Sequence, residues 1–486
     1  MANRNLTNFS GGINDKASKL LLKDTECEAI INYNLDSVGN LTKRNGYDVF
    51  ASQPVAAKRI LGLYQYTNTS VPAETTQVMV INNSGDTQSV IYYNNSSTWS
   101  TSKTNDTALT TVTNFNRVRF ATFLDYLFRV NGTDVISTSV NVNGSTWGTT
   151  NAPGTITPSF VTVFQDRVYV ARNGVAAASR LYFSSLPSAG SITWTTASDF
   201  VDINPDDGDQ ITALENNGNR LLIFKNRSLY RWTFGQVEPD RLIGIGTPSQ
   251  ETVKTNLDLG ITFFANEYGA YAYSGGRPKL ISRKIQPWFD AITASNLDMM
   301  CAESDNDHYY LYLGDSLTVD GRAYTNVMAV YTISLAAWTI YTVNTPIRFM
   351  NKLILSSSED IYFGSSNGRT YQWNSGTADD SGGAAGATAA NIAGEILTKE
   401  MALNFPYSTD INWIDIISQQ RVAASLSYDV DRKDIWKQLG NLNDRFTSFK
   451  VGSIPAKTLR LRITDNSQNI SIIEGINIEH TPNKQR

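Results

Sequence analysis

Arg220-Leu221-Leu222-Ile223-Phe224 is a short apolar run, followed by a polar turn and, eight residues beyond Phe224, by Trp232. A run of this length, rich in residues that fit a pleated surface and bounded by Asn, reads as a strand. Runs of the same kind recur at Ser89–Tyr93, Arg119–Phe123, Arg167–Ala171, Ile261–Ala265, His308–Leu313 and Asp360–Gly364. An aromatic closes successive stretches at Trp99, Trp147, Trp194, Trp232, Tyr273, Trp338 and Trp373, at intervals of 48, 47, 38, 41, 65 and 35 residues. That spacing fits the ~40–50 residues of a four-stranded propeller blade. The fold expected is therefore all-β, a β-propeller of six to seven blades over residues 55–375. The competing reading is a β-sandwich whose core these aromatics fill. The long interval holds Gln286-Pro287-Trp288-Phe289-Asp290-Ala291-Ile292, where Pro in a first turn predicts a short inserted helix.

Composition agrees with many short strands joined by polar turns. Charged residues are 18% of the 486, against about 25% in ordinary proteins, and the chain carries 23 Tyr, 20 Phe and 9 Trp. A net charge of −4, from 41 basic and 45 acidic side chains, leaves no footprint for gripping nucleic acid over the whole surface. No run approaches the roughly 18 apolar residues of a membrane span, and the first ten residues lack the apolar core of a secretory signal. The expectation is a soluble chain made in a cytoplasm, without membrane insertion.

Outside the propeller, residues 1–54 form a segment in which Asp24 or Thr25 caps a helix running to Tyr33. Two short strands follow, punctuated by Gly39-Asn40 and Asn45-Gly46. Residues 376–394 are small, polar and Gly-rich, and read as a linker or loop. Residues 395–486 read as a small C-terminal β-domain, with strands at Asn412–Ile417, Ala423–Asp429 and Thr458–Thr464 and a strand pair over Ile470–Glu479. With 12 basic and 11 acidic residues this last part is no polybasic arm.

Chemistry is sparse. Cys27 and Cys301 make neither a disulfide framework nor a multi-thiolate site, and Cys301 beside Met299-Met300 reads as a buried thiol. His308 and His480 are the only histidines, which excludes His-rich zinc chemistry. Asp202-Ile203-Asn204-Pro205-Asp206-Asp207-Gly208-Asp209 has the oxygen density of a calcium loop but breaks the EF-hand pattern at Asp207 and Ala213; a polar turn is the simpler reading. Gly144-Ser145-Thr146-Trp147 and Gly368-Arg369-Thr370-Tyr371 keep half of a sialidase Asp-box, with Val142 and Ser366 where Asp belongs. Asp305 and Asp307 sit in a turn, which favours Asp for backbone reasons. No phosphate loop or nucleophile elbow occurs. No catalytic, cofactor-binding or metal-binding residue is expected, no cofactor, and no enzymatic activity.

The specific signal lies in two stretches. Phe9-Ser10-Gly11-Gly12-Ile13-Asn14, then Glu28 and Asn32, then Gly39-Asn40-Leu41-Thr42-Lys43-Arg44-Asn45-Gly46-Tyr47 resembles the opening of the β-propeller tail proteins of short-tailed bacteriophages. Asp207-Gly208-Asp209-Gln210-Ile211-Thr212-Ala213-Leu214, with Arg220 to Tyr230, is similar to a blade of the same family. The resemblance implies a tail nozzle, a packaged-DNA stabilisation protein: a structural virion subunit of a homohexameric ring below the portal and adaptor rings. It implies as partners the adaptor, tail fibre or tailspike proteins, and double-stranded DNA passing through the lumen on ejection without sequence-specific binding. A weakly charged chain suits sliding, because each phosphate contact adds a counterion-release term that holds the duplex. Arg44 is expected to be a structural or subunit-pairing charge, or else an exposed hairpin charge. Residues 1–50 are expected to serve ring or adaptor contact; the alternative is that Leu41 and Tyr47 lie in strands closing the first blade with the last. Two other classes stay open: a propeller subunit that binds receptors or glycans, and a glycosidase acting on surface polysaccharide.

Overall fold

The computed structural model describes residues 2–69, 74–95, 98–111, 113–144, 146–236, 240–243, 245–355, 358–381, 389–404, 407–419 and 424–482. It is all-β, 55% strand and 5% helix. All seven runs expected as strands are strands, because each alternates buried and partly covered side chains or is apolar on both faces. No helix among the described residues is long and apolar enough to cross a membrane.

Seven antiparallel four-stranded units follow one another along the chain. The first is Ile60–Asn68, Glu74–Asn82, Gln88–Asn95 and Thr98–Thr107. The second is Arg119–Phe123, Tyr126–Val130, Ser137–Asn141 and Thr146–Gly148. The third is Pro158–Phe164, Arg167–Asn173, Ala177–Phe183 and Phe200–Asp202. The fourth is Ile211–Asn216, Leu221–Lys225, Leu229–Trp232 and Asp240–Ile243, and the fifth Lys254–Asn256, Ile261–Asn266, Gly269–Tyr273 and Lys279–Leu280. The sixth is Cys301–Ser304, His308–Val319, Arg322–Thr332 and Ala337–Thr342. The seventh takes Ile347–Leu355, Ser358–Ser365 and Thr370–Trp373 from its own stretch and Tyr47–Ala51 from the N-terminal segment.

The first strand of each unit lies against the first strand of the next, and Ile347–Leu355 of the seventh returns to Ile60–Asn68 of the first. Apolar side chains fill the spaces between successive units. Val80 and Ile91 meet Phe120 and Leu127, Phe224 meets Phe264, and Phe349 and Leu353 meet Ile60 and Met79. Each unit thus buries both faces on its neighbours, which accounts for the two-sided burial of runs such as Leu221–Phe224. The inserted helix is present at Gln286–Asp290, with Pro287 in its first turn.

The N- and C-terminal segments differ from expectation. Residues Asp24–Tyr33 do not form a helix: Glu26–Ile31 is a strand, and the helical turn nearby is the short Lys19–Leu21. The strand forms because partners flank it on both sides, Gly394–Thr398 antiparallel and Ala337–Thr342 in parallel at Ile31 and Ile340. Packing thereby overrides local helix propensity. Among the described residues of 395–486 the strands pair largely with one another and are joined to strands from the N-terminal segment and the sixth unit. Gly394–Thr398, Thr458–Asp465, Ala424–Val430 and Lys437–Asn441 extend the sixth unit, through Glu26–Ile31, into an eleven-stranded sheet. Of Ile470–Glu479, expected as a strand pair, residues 472–479 lie in a single long strand, Ile472–Pro482. That strand joins Ala2–Leu6, Leu41–Lys43, Tyr33–Leu35, Thr409–Ser418 and Phe446–Ala456 in a six-stranded sheet. The two large sheets share one core, in which Ile411, Ile414, Ile476 and Ile478 meet Ile396, Leu426, Leu461 and Ile463. The 376–394 stretch contributes Asp379–Ser381, parallel to Tyr47–Ala51; residues 382–388 lie outside the described residues.

Candidate functional site

The residues that carry the N-terminal motif converge where the cycle of seven units meets the two large sheets. Arg44, between Leu41–Lys43 of one and Tyr47–Ala51 of the other, is buried. Its guanidinium grips Asp379 with two bonds of 2.7 Å, donates to Asn32 Oδ1 at 2.9 Å and to the Thr342 carbonyl at 2.9 Å, and lies against the Tyr341 and Trp373 rings. A bidentate pair with every remaining donor engaged is the form in which a buried charge is tolerated. Asn32 completes the junction: its Nδ2 donates to Thr342 Oγ1 and to the Ala393 carbonyl, and its backbone takes a φ of 60°. Arg44 is therefore a structural charge and not an exposed hairpin one. Tyr47 stacks on Trp373 and meets Phe363 edge-on, as part of the closing strand. Gly46 runs against Ala378, where a Cβ would stand 1.8 Å from the carbonyl oxygen. Beside it, Lys43 pairs with Asp465 at 3.3 Å, both side chains buried, and burial pulls the lysine below its usual range despite the carboxylate.

The second motif does similar work between the third and fourth units. Lys225 Nζ donates to Asp207 at 2.7 Å, to the Asn204 carbonyl at 3.0 Å and to Ser179 Oγ at 3.1 Å. Burial alone would raise the Asp207 carboxyl; the lysine's bond, the Asp209 amide, the lysine's charge and Asn204 together more than offset it and hold the group low. Asp209 accepts from Asn226 and from the Arg227 amide, fixing the turn before Leu229, and Asp202 is forked by Arg180. The acidic loop at 202–209 thus directs Asp202, Asp207 and Asp209 at neighbouring protein groups.

The remaining residues singled out in the sequence are dispersed. Cys27 and Cys301 are buried, and burial pushes both thiols up to about 12. His308 Nδ1 lies 3.3 Å from Asp305, and His480 Nδ1 3.0 Å from Thr409 Oγ1 in a separate sheet. The half Asp-boxes are packed turns: Trp147 donates to Ser102 Oγ at 2.9 Å, and Tyr371 OH accepts from Asn367 at 2.9 Å; Ser145 lies outside the described residues. No group of three His, Cys, Asp or Glu side chains among the described residues is arranged to hold a metal.

The first strands of six of the seven units, all but the sixth, wall a central cavity of 310 Å³, with Tyr64, Phe120, Val163, Glu215, Lys254 and Phe349 among its lining residues. Arg119, paired with Glu251 at 2.9 Å, lines it, as does Lys254, whose partner Glu303 stands behind the wall at 3.0 Å. Burial pushes Glu215 up to about 7, aided by Glu303 and opposed by Thr255 and Lys254. The folded protein then holds a proton on Glu215 that the unfolded chain, titrating near 4.5, has lost. This group's contribution is therefore present below about pH 4.5 and is lost as pH rises towards 7. Glu215→Gln is expected to stabilise the protein at pH 8, by up to about 3 kcal/mol, and to change little at pH 5. Urea melts at the two pH values measure this; an equal difference at both would contradict it.

Asp379 escaped the sequence reading. Asp379 sits in a Gly- and Ala-rich stretch whose composition reads as linker, and its partner is 335 residues away.

No known protein family and no curated protein matches the chain. Among solved structures, the extracellular domain of the hybrid two component system BT3049 from B. thetaiotaomicron is similar at 10% identity and a TM-score of 0.47, over 95% of this chain and 61% of that one. The extracellular domain of BT4673 from the same organism gives 11% identity and 0.40, over 80% and 47%. Hsv2 of Kluyveromyces lactis gives 7% and 0.34, over 72% and 95%. This chain spans 61% and 47% of the length of the first two. At such TM-scores the likenesses carry neither a fold assignment nor a function.

Proposed function

We propose that the seven units form a seven-bladed β-propeller, and that the chain is a structural subunit of a tail nozzle in a short-tailed bacteriophage virion. The observation that carries this reading is the Arg44 junction. Residues of the resembling motif, Asn32, Lys43, Arg44 and Gly46, all serve in this chain to lock a closing strand of the cycle onto the paired large sheets. Conserving the shape of a rigid block, not a reactive site, is what a ring subunit requires. Support for the propeller comes from the return of the seventh unit onto the first and from the borrowed strand Tyr47–Ala51.

In this reading six copies surround a lumen below the portal and adaptor rings, retain the packaged genome and pass it on ejection. The central cavity of 310 Å³ within one chain is far too small for a duplex, so the conduit lies between copies. Near-neutral overall charge, −4 over 486 residues, leaves DNA free to slide. The adaptor above and tail fibres or tailspikes at the sides are the partners this position supplies. The test is whether the purified chain assembles as a six-fold ring on its adaptor.

A further inference from the structure

A trough of 560 Å³ lies where the long hairpin of the sixth unit reaches over the eleven-stranded sheet. It opens beside a second hollow of 540 Å³ that shares Arg322, Tyr324, Glu395 and Arg462. Its walls come from three distant parts of the chain: Glu28 near the N-terminus, Trp288 and Asp320–Tyr324 from the cycle, and Arg432–Trp436, Arg460 and Arg462 from the C-terminal strands.

Most of the charges in it are already matched, the exposed Asp320 at the hairpin tip being the exception. Glu395 is held between Arg322 at 2.8 Å and Arg462 at 2.7 Å. Arg460 pairs with Asp429 at 2.6 Å and Asp434 at 2.5 Å, Arg432 faces Glu400 at 3.6 Å, and Lys19 neutralises Asp15. An entering anion or cation would have to break one of these pairs, so the trough favours a neutral ligand. Hydrogen-bonding capacity is nevertheless left over. Trp288 and Arg460, each 3% exposed, have no acceptor for Nε1–H and Nε–H, and Glu28 Oε2 accepts no hydrogen bond, its nearest cation being Arg460 at 3.6 Å. Burial raises the Glu28 carboxyl, against the pull of Lys19, Arg460 and Arg432. Aromatic surface stands beside these atoms: Trp436, half-buried, rests over the Arg460 and Arg462 guanidiniums, and Tyr324 packs on Trp288.

Unmet donors next to an unmet acceptor, at balanced charge and beside aromatic rings, match a ligand whose groups are hydroxyls on an apolar ring. A hydroxyl donates and accepts at once, and the C–H face of a pyranose packs on an aromatic plane. We propose that this trough binds a neutral oligosaccharide of about two to three sugar rings, a size set by pocket volumes of this order. The site is independent of the ring assembly argued above and stands whether or not the chain is a nozzle.

The full-length protein is screened against neutral gluco-, galacto- and manno-oligosaccharides of two to four residues, and the best ligand is titrated calorimetrically. Trp436→Ala is expected to weaken binding at least tenfold with an unchanged melting curve, and Trp436→Phe, which keeps an aromatic plane, to restore most of it. Absence of binding at millimolar ligand, preference for acidic glycans, or binding that survives Trp436→Ala would each overturn the proposal. So would occupancy by a segment of a second copy, seen as ring assembly that Trp436→Ala abolishes.

Discussion

A chain lacking residues 1–50 is expected to be insoluble, or to melt far below the full-length protein. The deletion removes most of Tyr47–Ala51, the fourth strand of the seventh unit, and takes Glu26–Ile31 out of the middle of the eleven-stranded sheet. Leu6, Phe9, Ile13, Ile30, Tyr33, Leu35, Leu41 and Tyr47 are all at most 3% exposed, and they leave together. At about 1.5–3 kcal/mol for each large apolar side chain, their loss, about 12–24 kcal/mol, is as large as or larger than the roughly 5–15 kcal/mol that holds an ordinary domain folded. A segment used only to contact a neighbouring subunit would behave differently: circular dichroism and melting would be unchanged while the ring was lost. The strand pairing of Tyr47 places the end of the segment in the closure of the cycle, the alternative set beside an assembly role. Leu41 closes no unit; it pairs with Ile473 in the six-stranded sheet.

Arg44→Ala is expected to cost about 3–5 kcal/mol, the range for removing one partner of a buried ion pair. The reason is what stays behind. Asp379, whose side chain is 5% exposed, would keep its charge with only the Asn344 amide to answer it, and the Thr342 carbonyl and Asn32 Oδ1 would each lose a donor. The paired change Arg44→Ala with Asp379→Ala should cost less than the sum of the two single changes, because it removes the stranded carboxylate as well. Denaturant melts of the three variants measure the coupling. Additive losses, or a single-variant loss below about 1 kcal/mol, would mean that the pair is not the lock inferred from its geometry.

What the sequence made legible was the length of the repeating unit and the identity of its strands. Alternating and doubly apolar runs such as Arg167–Ala171 and His308–Leu313 lie in strands because period-two burial is written locally. The aromatic markers fixed the repeat without fixing the register. Trp99 and Trp147 stand in fourth strands, Trp232, Tyr273 and Trp373 in third strands, and Trp194 outside any strand. An aromatic lid is needed once per unit, and more than one strand position supplies it. The helix expected over Asp24–Tyr33 was misread for the opposite reason. Nothing local announces that residues 340 and 396 will flank Ile31 and Ile30. The same blindness hides the trough, whose walls bring Glu28, Asp320 and Trp436 together across hundreds of residues. Arg44 was singled out by its motif, but its partner Asp379 lies in a stretch whose small residues conceal it.

The nozzle reading is tested most directly by electron microscopy of the purified chain mixed with the adaptor ring of the same virion. The account predicts six copies in a closed ring on the face of the adaptor distal to the portal, with an open axial channel wide enough for a duplex, about 20 Å, and each copy a disc with a lateral extension formed by the two large sheets. Isolated single copies that leave the adaptor bare, or a ring whose axis is filled by the cycle of one chain, would contradict it.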